Sequence, residues 1–274
     1  MLELLEAARS AAMAGAEALR ASGCDARAPR TKSTDVDLVT DADIASGVAI
    51  VTSLEQSLPG GRYVIEEDSV FEDLEVTRGD LHDPEVWVID PLDGTTSFVH
   101  GYPGYSVSVA LLRDGEPVVG VVLDVTADKV FAAAAGLGAT LGDEPISVSD
   151  ASSLSEALLM TGFPYDRGHT LDRQLAVFPV LMRTIHGMRR DGSAALDLCR
   201  VACGQADGFW EFGLSPWDTA GGKLILEEAG GIVTDVQGRP WAPVFAAGIV
   251  AGNPRIHPLL LDVVRANDPG PLRY

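Results

Sequence analysis

The sequence predicts a layered α/β fold, on three observations. Leu and Ala recur at helical spacing near the start, residues 105–148 break into short β-rich pieces between Gly-containing turns, and after Ser155 strand-like and helix-like stretches alternate to the end. At 274 residues and 46% hydrophobic, the chain can bury one large core or two small ones. Without repeat or low-complexity segment, it reads as a single unit with a weak seam near 150, between a 1–150 part and a 151–274 part.

MLELLEAARSAAMAGAEALRASG reads as an amphipathic helix over 2–22, and its Glu3 and Glu6 stand where a secretion signal is basic, which points to the cytoplasm. A second helix covers 43–57. A strand near 62–66 ends in Glu66-Glu67-Asp68, and the next apolar stretch stops at Asp90. YSVSVALL, PVVGVVLDV, KVFAAAA and PISVS, separated by Asp-Gly, Gly-Leu-Gly and Gly-Asp, predict an antiparallel sheet. Strand 157–161, helix 171–182, helix 193–203 and strand 208–211 follow. Ser215 and Pro216 open a helix that Gly230-Gly231 closes, and strands near 232–234 and 247–250 precede a helix from Pro254.

Forty acidic against twenty basic residues give a net charge of -20, which opposes nucleic acid and anionic membrane; an anionic substrate needs bound cations. The longest uncharged apolar runs, near 131–142 and 241–252, are too short to span a bilayer. Cys24, Cys199 and Cys203 are too few for a disulfide framework and read as structural thiols.

One junction carries chemistry. In WVIDPLDGTTSFVHGYP a buried-strand pattern stops at Asp90 and Asp93, two carboxylates that repel each other unless something positive lies between them. Glu66 closes another strand, and Asp218 lies in the first turn of a helix. If the four converge they make a hard-oxygen set for magnesium or manganese, with the Leu92 carbonyl able to join and no imidazole or thiolate cluster to favour zinc. Gly94 leaves room for a phosphate faced by the amides of Gly94, Thr95 and Thr96.

DPLDGTTSF at Asp90–Phe98 and WDTAGGKLILEEAGG at Trp217–Gly231 resemble the two signatures of the inositol monophosphatase family, the second apart from its glycine step. KSTDVDLVTDAD at Lys32–Asp43, IEE at Ile65–Glu67 and GSAALDLCRVACGQADGFWE at Gly192–Glu211 are similar to weaker family stretches in the same order, so the likeness covers nearly the whole chain. The resemblance implies an αβαβα sandwich, a homodimer, lithium sensitivity and two or three magnesium ions held by Glu66, Asp90, the Leu92 carbonyl, Asp93 and Asp218, with Asp43 acting through water. It implies that Thr95 orients the attacking water, that Ser193, Ala194 and Glu211 meet the alcohol portion of the substrate with Asp218 beside them, and that Asp93 also binds substrate. Ile65 departs from the family glycine. The expected activity is hydrolysis of inositol monophosphate or a similar small polyol phosphate by in-line attack of a metal-activated water. Fructose-1,6-bisphosphatase, histidinol-phosphatase and phosphoadenosine-type nucleotidase activities are the alternatives within the superfamily, and a metal-binding interaction module is the one outside enzymes.

Overall fold

The computed structural model describes residues 1–22, 29–31, 38–165, 168–240, 242 and 248–270. Cys24, Lys32, Asp35, Asp37, Arg167 and the start of the strand expected at 247–250 lie outside these.

Helix α1 (Leu2–Ala21) buries a face of Ala7, Ala8, Ala11, Ala12 and Ala16, small enough for α2 (Asp41–Ser57) to lie directly on it. Strands β1 (Arg30–Thr31) and β2 (Leu38–Val39) form a short antiparallel pair between them. Helix α2 starts two residues before its apolar pattern does, because Thr40 caps it: the Thr40 amide and hydroxyl both donate to Asp43 Oδ2, at 2.8 and 2.5 Å.

The larger sheet comprises β3 (Arg62–Ile65), β4 (Thr77–Arg78), β5 (Glu85–Asp93), β6 (Ser106–Arg113), β7 (Glu116–Asp124), β8 (Lys129–Ala134), β9 (Ala139–Leu141) and β10 (Glu144–Pro145), in the order β10-β9-β8-β7-β6-β5-β3-β4. The alternation read over 105–148 is antiparallel, as expected, and only β3 runs parallel to its neighbours β4 and β5. A six-residue helix, α3 (Thr95–His100), follows β5, an element the sequence reading did not include.

The smaller sheet and its helices occupy the rest of the chain: β11 (Leu158–Thr161), α4 (His169–Met182), β12 (Gly187–Arg189), α5 (Ala194–Ala202), β13 (Gly208–Glu211), α6 (Pro216–Glu228), β14 (Ile232–Asp235), β15 (Ile249–Gly252) and α7 (Ile256–Asn267). Its order is β12-β11-β13-β15-β14, with β11 parallel to both neighbours and β15 antiparallel to both of its own.

The layers are αβαβα. Helices α1 and α2 cover one face of the larger sheet, α5 and α6 fill the space between the sheets, and α4 and α7 cover the outer face of the smaller one. Trp210 and Phe212, both fully buried, pack in that outer core. At Gly120 and Gly221 helix α6 lies on β7 backbone to backbone: a Cβ at Gly120 would stand 2.7 Å from the Gly221 carbonyl oxygen. No helix among the described residues is long and apolar enough to cross a membrane.

Candidate active site

The acids picked out in the sequence reach one region from separate elements. Ile65 pairs with Ile89 across β3 and β5, and the Glu66 amide donates to the Ile89 carbonyl at 3.1 Å, so Glu66 leaves β3 beside Asp90. Ile65 itself is buried in the core under α2, and the strand register holds through it. Glu66, and not Glu67, is the glutamate whose charge acts on Asp90, Asp93 and Asp218.

Each aspartate is anchored through one carboxyl oxygen. Asp90 Oδ1 accepts from the Leu92 amide at 3.0 Å. Asp93 Oδ2 accepts from the Ser193 hydroxyl at 2.7 Å and the Ala195 amide at 2.8 Å, which ties the end of β5 to the start of α5. Asp218 Oδ2 accepts from the Ser215 amide at 2.6 Å in the opening turn of α6. Asp43, the third residue of α2, spends Oδ2 on its cap while Oδ1 takes the Thr95 hydroxyl at 3.2 Å. Thr95 Oγ1 is equally 3.2 Å from the Leu92 carbonyl oxygen, and Ser46 Oγ donates to Pro91 at 2.8 Å, so α2 fixes the turn from both sides.

The proton affinities record the crowding. Burial, then the charges of Glu66, Asp93 and Asp218, pushes the Asp90 carboxyl well above the usual range. Burial, then Asp93 and Glu66, does the same to Asp218. Burial takes Asp93 up to about 6 although its bonds from Ser193 and Ala195 pull it down. The charges acting most strongly on Asp90 are thus all acidic. Among the described residues no three His, Cys, Asp or Glu side chains form a ready-made ion cage. The donor chemistry nevertheless fits a hard divalent cation: carboxylate oxygens of like charge that repel each other at one strand end, with sulfur and imidazole absent from the set.

Gly94 has a positive φ of 99°, and a Cβ there would come within 3.1 Å of Gly104 and Tyr105. The space its missing side chain leaves is therefore taken by neighbouring backbone rather than kept open for a ligand, as the sequence had suggested. Thr95 is buried and Thr96 exposed.

Beside the acids a polar cleft is walled by Asp93, Ser193, Ala194, Glu211 and Asp218. Glu211 ends β13 with its carboxyl group pressed against Gly162, where any Cβ would overlap it. Burial pushes that carboxyl up to about 8, with Arg190 pulling it down and Asp93 pushing it up, so near neutral pH it both donates and accepts. Sequence reasoning missed further residues of the wall, Gly162, Tyr165 and Asp197 among them. Tyr165 bonds Thr96, and burial followed by Asp93 takes its hydroxyl up to about 12. Arg190 reaches the rim of the cavity, whereas Arg189 bonds the Met188 carbonyl on β12.

The profile of the Inositol monophosphatase family matches residues 1–268. The chain belongs to the inositol monophosphatase family. It is 43% identical to an inositol-1-monophosphatase of Synechocystis, over 84% of this chain and 77% of that one. It is 39% identical to the Nus factor SuhB of Escherichia coli K12, over 84% and 83% respectively. The structure of an inositol monophosphatase from Anabaena superposes with a TM-score of 0.84 at 41% identity, covering 97% of this chain and 96% of that one. The family is one of metal-dependent phosphatases, and the sandwich expected of it is the fold described above.

Proposed function

We propose that the protein is a magnesium-dependent phosphomonoesterase acting on inositol monophosphate or a similar small polyol phosphate. The observation that carries this reading is the convergence of Glu66, Asp90, Asp93 and Asp218, mutually repelling acids from separate segments, beside a polar cavity that ends at Glu211.

Glu66, Asp90, Asp93, Asp218 and the Leu92 carbonyl would hold magnesium or manganese at two or three positions, with Asp43 contributing through water. When bound, the cations neutralise phosphate oxygens and make water more acidic. Thr95 has one hydroxyl proton for two acceptors, Asp43 and Leu92, and its oxygen lone pairs remain to orient the water that attacks phosphorus in line. Asp43 in turn holds that hydroxyl in place from its own capped helix. The amides of Gly94, Thr95 and Thr96 face the phosphate, and Ser193, Ala194, Glu211, Asp93 and Asp218 receive the alcohol. Both halves of the chain act as one unit, since Asp93 from the first is held by Ser193 and Ala195 of the second. A cytoplasmic, lithium-sensitive homodimer completes the reading, supported by family membership and the acidic composition.

Phosphate release, with and without magnesium, from inositol 1-phosphate, fructose 1,6-bisphosphate, 3′-phosphoadenosine 5′-phosphate and histidinol phosphate tests this. The inositol ester should be preferred, and EDTA should silence the enzyme reversibly. A bisphosphate favoured by about tenfold or more would move the assignment within the superfamily. Full activity after exhaustive chelation would rule out the mechanism. Release from none of them would select a metal-binding interaction module, the reading that the name Nus factor of the SuhB relatives favours.

A further inference from the structure

One wall of the cavity has no part in the roles above. Asp197, in the first turn of α5, is 1% exposed, yet it lines the cavity and its Oδ1 has no hydrogen-bond partner. A buried polar atom left unpaired is costly, so native structures rarely keep one without a use. Asp43, Asp90, Asp93 and Asp218 are each anchored by backbone or hydroxyl donors; Asp197 is not. Nothing in its helix explains it either, for Ala194, Ala195, Leu196, Leu198 and Cys199 around it are buried and apolar. The charges that face it are Glu211, Asp191 and Asp93, all acidic, and Arg200, whose Nε is turned to Asp191 at 3.4 Å.

We propose that Asp197 is a specificity residue: together with Glu211 it hydrogen-bonds hydroxyl groups of the leaving alcohol, so that the cavity selects phosphate esters of polyols over esters of alcohols without neighbouring hydroxyls. This rests on the phosphatase reading. Burial, reinforced by Glu211, Asp191 and Asp93, pushes the Asp197 carboxyl well up, and a neutral acid can both donate to and accept from a hydroxyl. Asparagine keeps a donor and an acceptor in the same shape; leucine keeps the shape alone.

Steady-state kinetics of Asp197→Leu and Asp197→Asn on inositol 1-phosphate and on p-nitrophenyl phosphate, which has no hydroxyl beyond the phosphate, test the proposal. Asp197→Leu should raise KM for the inositol ester by about tenfold or more, with kcat and the p-nitrophenyl reaction within about threefold of wild type. Asp197→Asn should stay within about threefold on both. An Asp197→Leu variant indifferent on the inositol ester, or equally impaired on both, overturns the proposal. If that variant does not fold, Asp197→Ala is read in the same way, and failure of both to fold makes Asp197 a structural residue and equally overturns it. A wild-type protein inert on both esters overturns the phosphatase reading and this proposal with it, whereas an active wild type with an indifferent variant overturns the proposal alone.

Discussion

Glu211→Gln should flatten the pH dependence of stability measured in EDTA. Glu211 is 6% exposed, and burial carries its carboxyl from 4.5 to about 8. A carboxyl whose pKa is higher in the folded than in the unfolded chain binds its proton more tightly when folded. Its stabilising contribution is therefore complete below about pH 4.5 and is lost as the pH rises through about 8. Each pKa unit corresponds to about 1.4 kcal/mol, so between about pH 5 and about pH 8 Glu211 alone removes on the order of 4 kcal/mol. Glutamine has the same shape and no proton to lose. Asp90, Asp93 and Asp218 are also raised and add their own slope; the Glu211 charge helps to raise Asp218, so that share of the slope disappears with it in the variant. Urea denaturation across that pH window should give curves that nearly coincide at the acid end and diverge in favour of the variant at the alkaline end. Parallel curves, separated by the same amount throughout, would refute the reasoning.

Three further outcomes are expected. Asp90→Asn or Asp93→Asn should lower kcat by about a hundredfold or more at saturating magnesium while the chelated protein melts no earlier than wild type, because a repelling charge has gone; phosphate release and thermal melting read the two effects. Gly162→Ala, at a position where an alanine meets the Glu211 carboxyl first, should raise KM for the inositol ester by roughly tenfold with p-nitrophenyl phosphate unaffected, and an unchanged ratio between the esters would count against Glu211 as an alcohol contact. Arg173 bonds Asp268 through Nε at 2.8 Å and Nη2 at 2.7 Å and lies 4.3 Å from the Phe212 ring centre, so Arg173→Ala should cost about 3 kcal/mol in denaturant unfolding, with kcat intact.

The acids at element ends were legible because each breaks a pattern: Asp90 interrupts a buried strand, and Asp218 follows Ser-Pro-Trp at a helix start. Layered helices and sheets were within reach of periodicity, and the αβαβα order came only from the family resemblance. What escaped depends on pairing across long separations. Strand β12 is three residues at a sheet edge and has no alternation to announce it. Tyr165 stands in irregular chain after β11, and its bond to Thr96 exists only once the two sheets have closed. Asp197 was the avoidable miss, since a lone acid inside AALDLC carries its own warning: an apolar helix does not bury a carboxyl without purpose. Gly94 was read as leaving room for a phosphate, because a sequence does not say which neighbours, here Gly104 and Tyr105, will occupy the missing side chain's place.

The glycine contact between β7 and α6 has a mechanical meaning. Side chains between a helix and a sheet act as a compliant layer that re-forms rotamers when pressed; at Gly120 and Gly221 that layer is missing, and backbone bears on backbone. Asp218 rides on the same helix one turn earlier, and the Ser108 hydroxyl of β6 grips the Trp217 carbonyl at 3.3 Å beside it. The gap between Asp218 and the acids of β5 is thus gauged by a stiff strut, set when the chain folds rather than when a ligand arrives. A single methyl group inserted at position 120, inside the sheet and outside the cavity, would detune the site by prying its two sides apart.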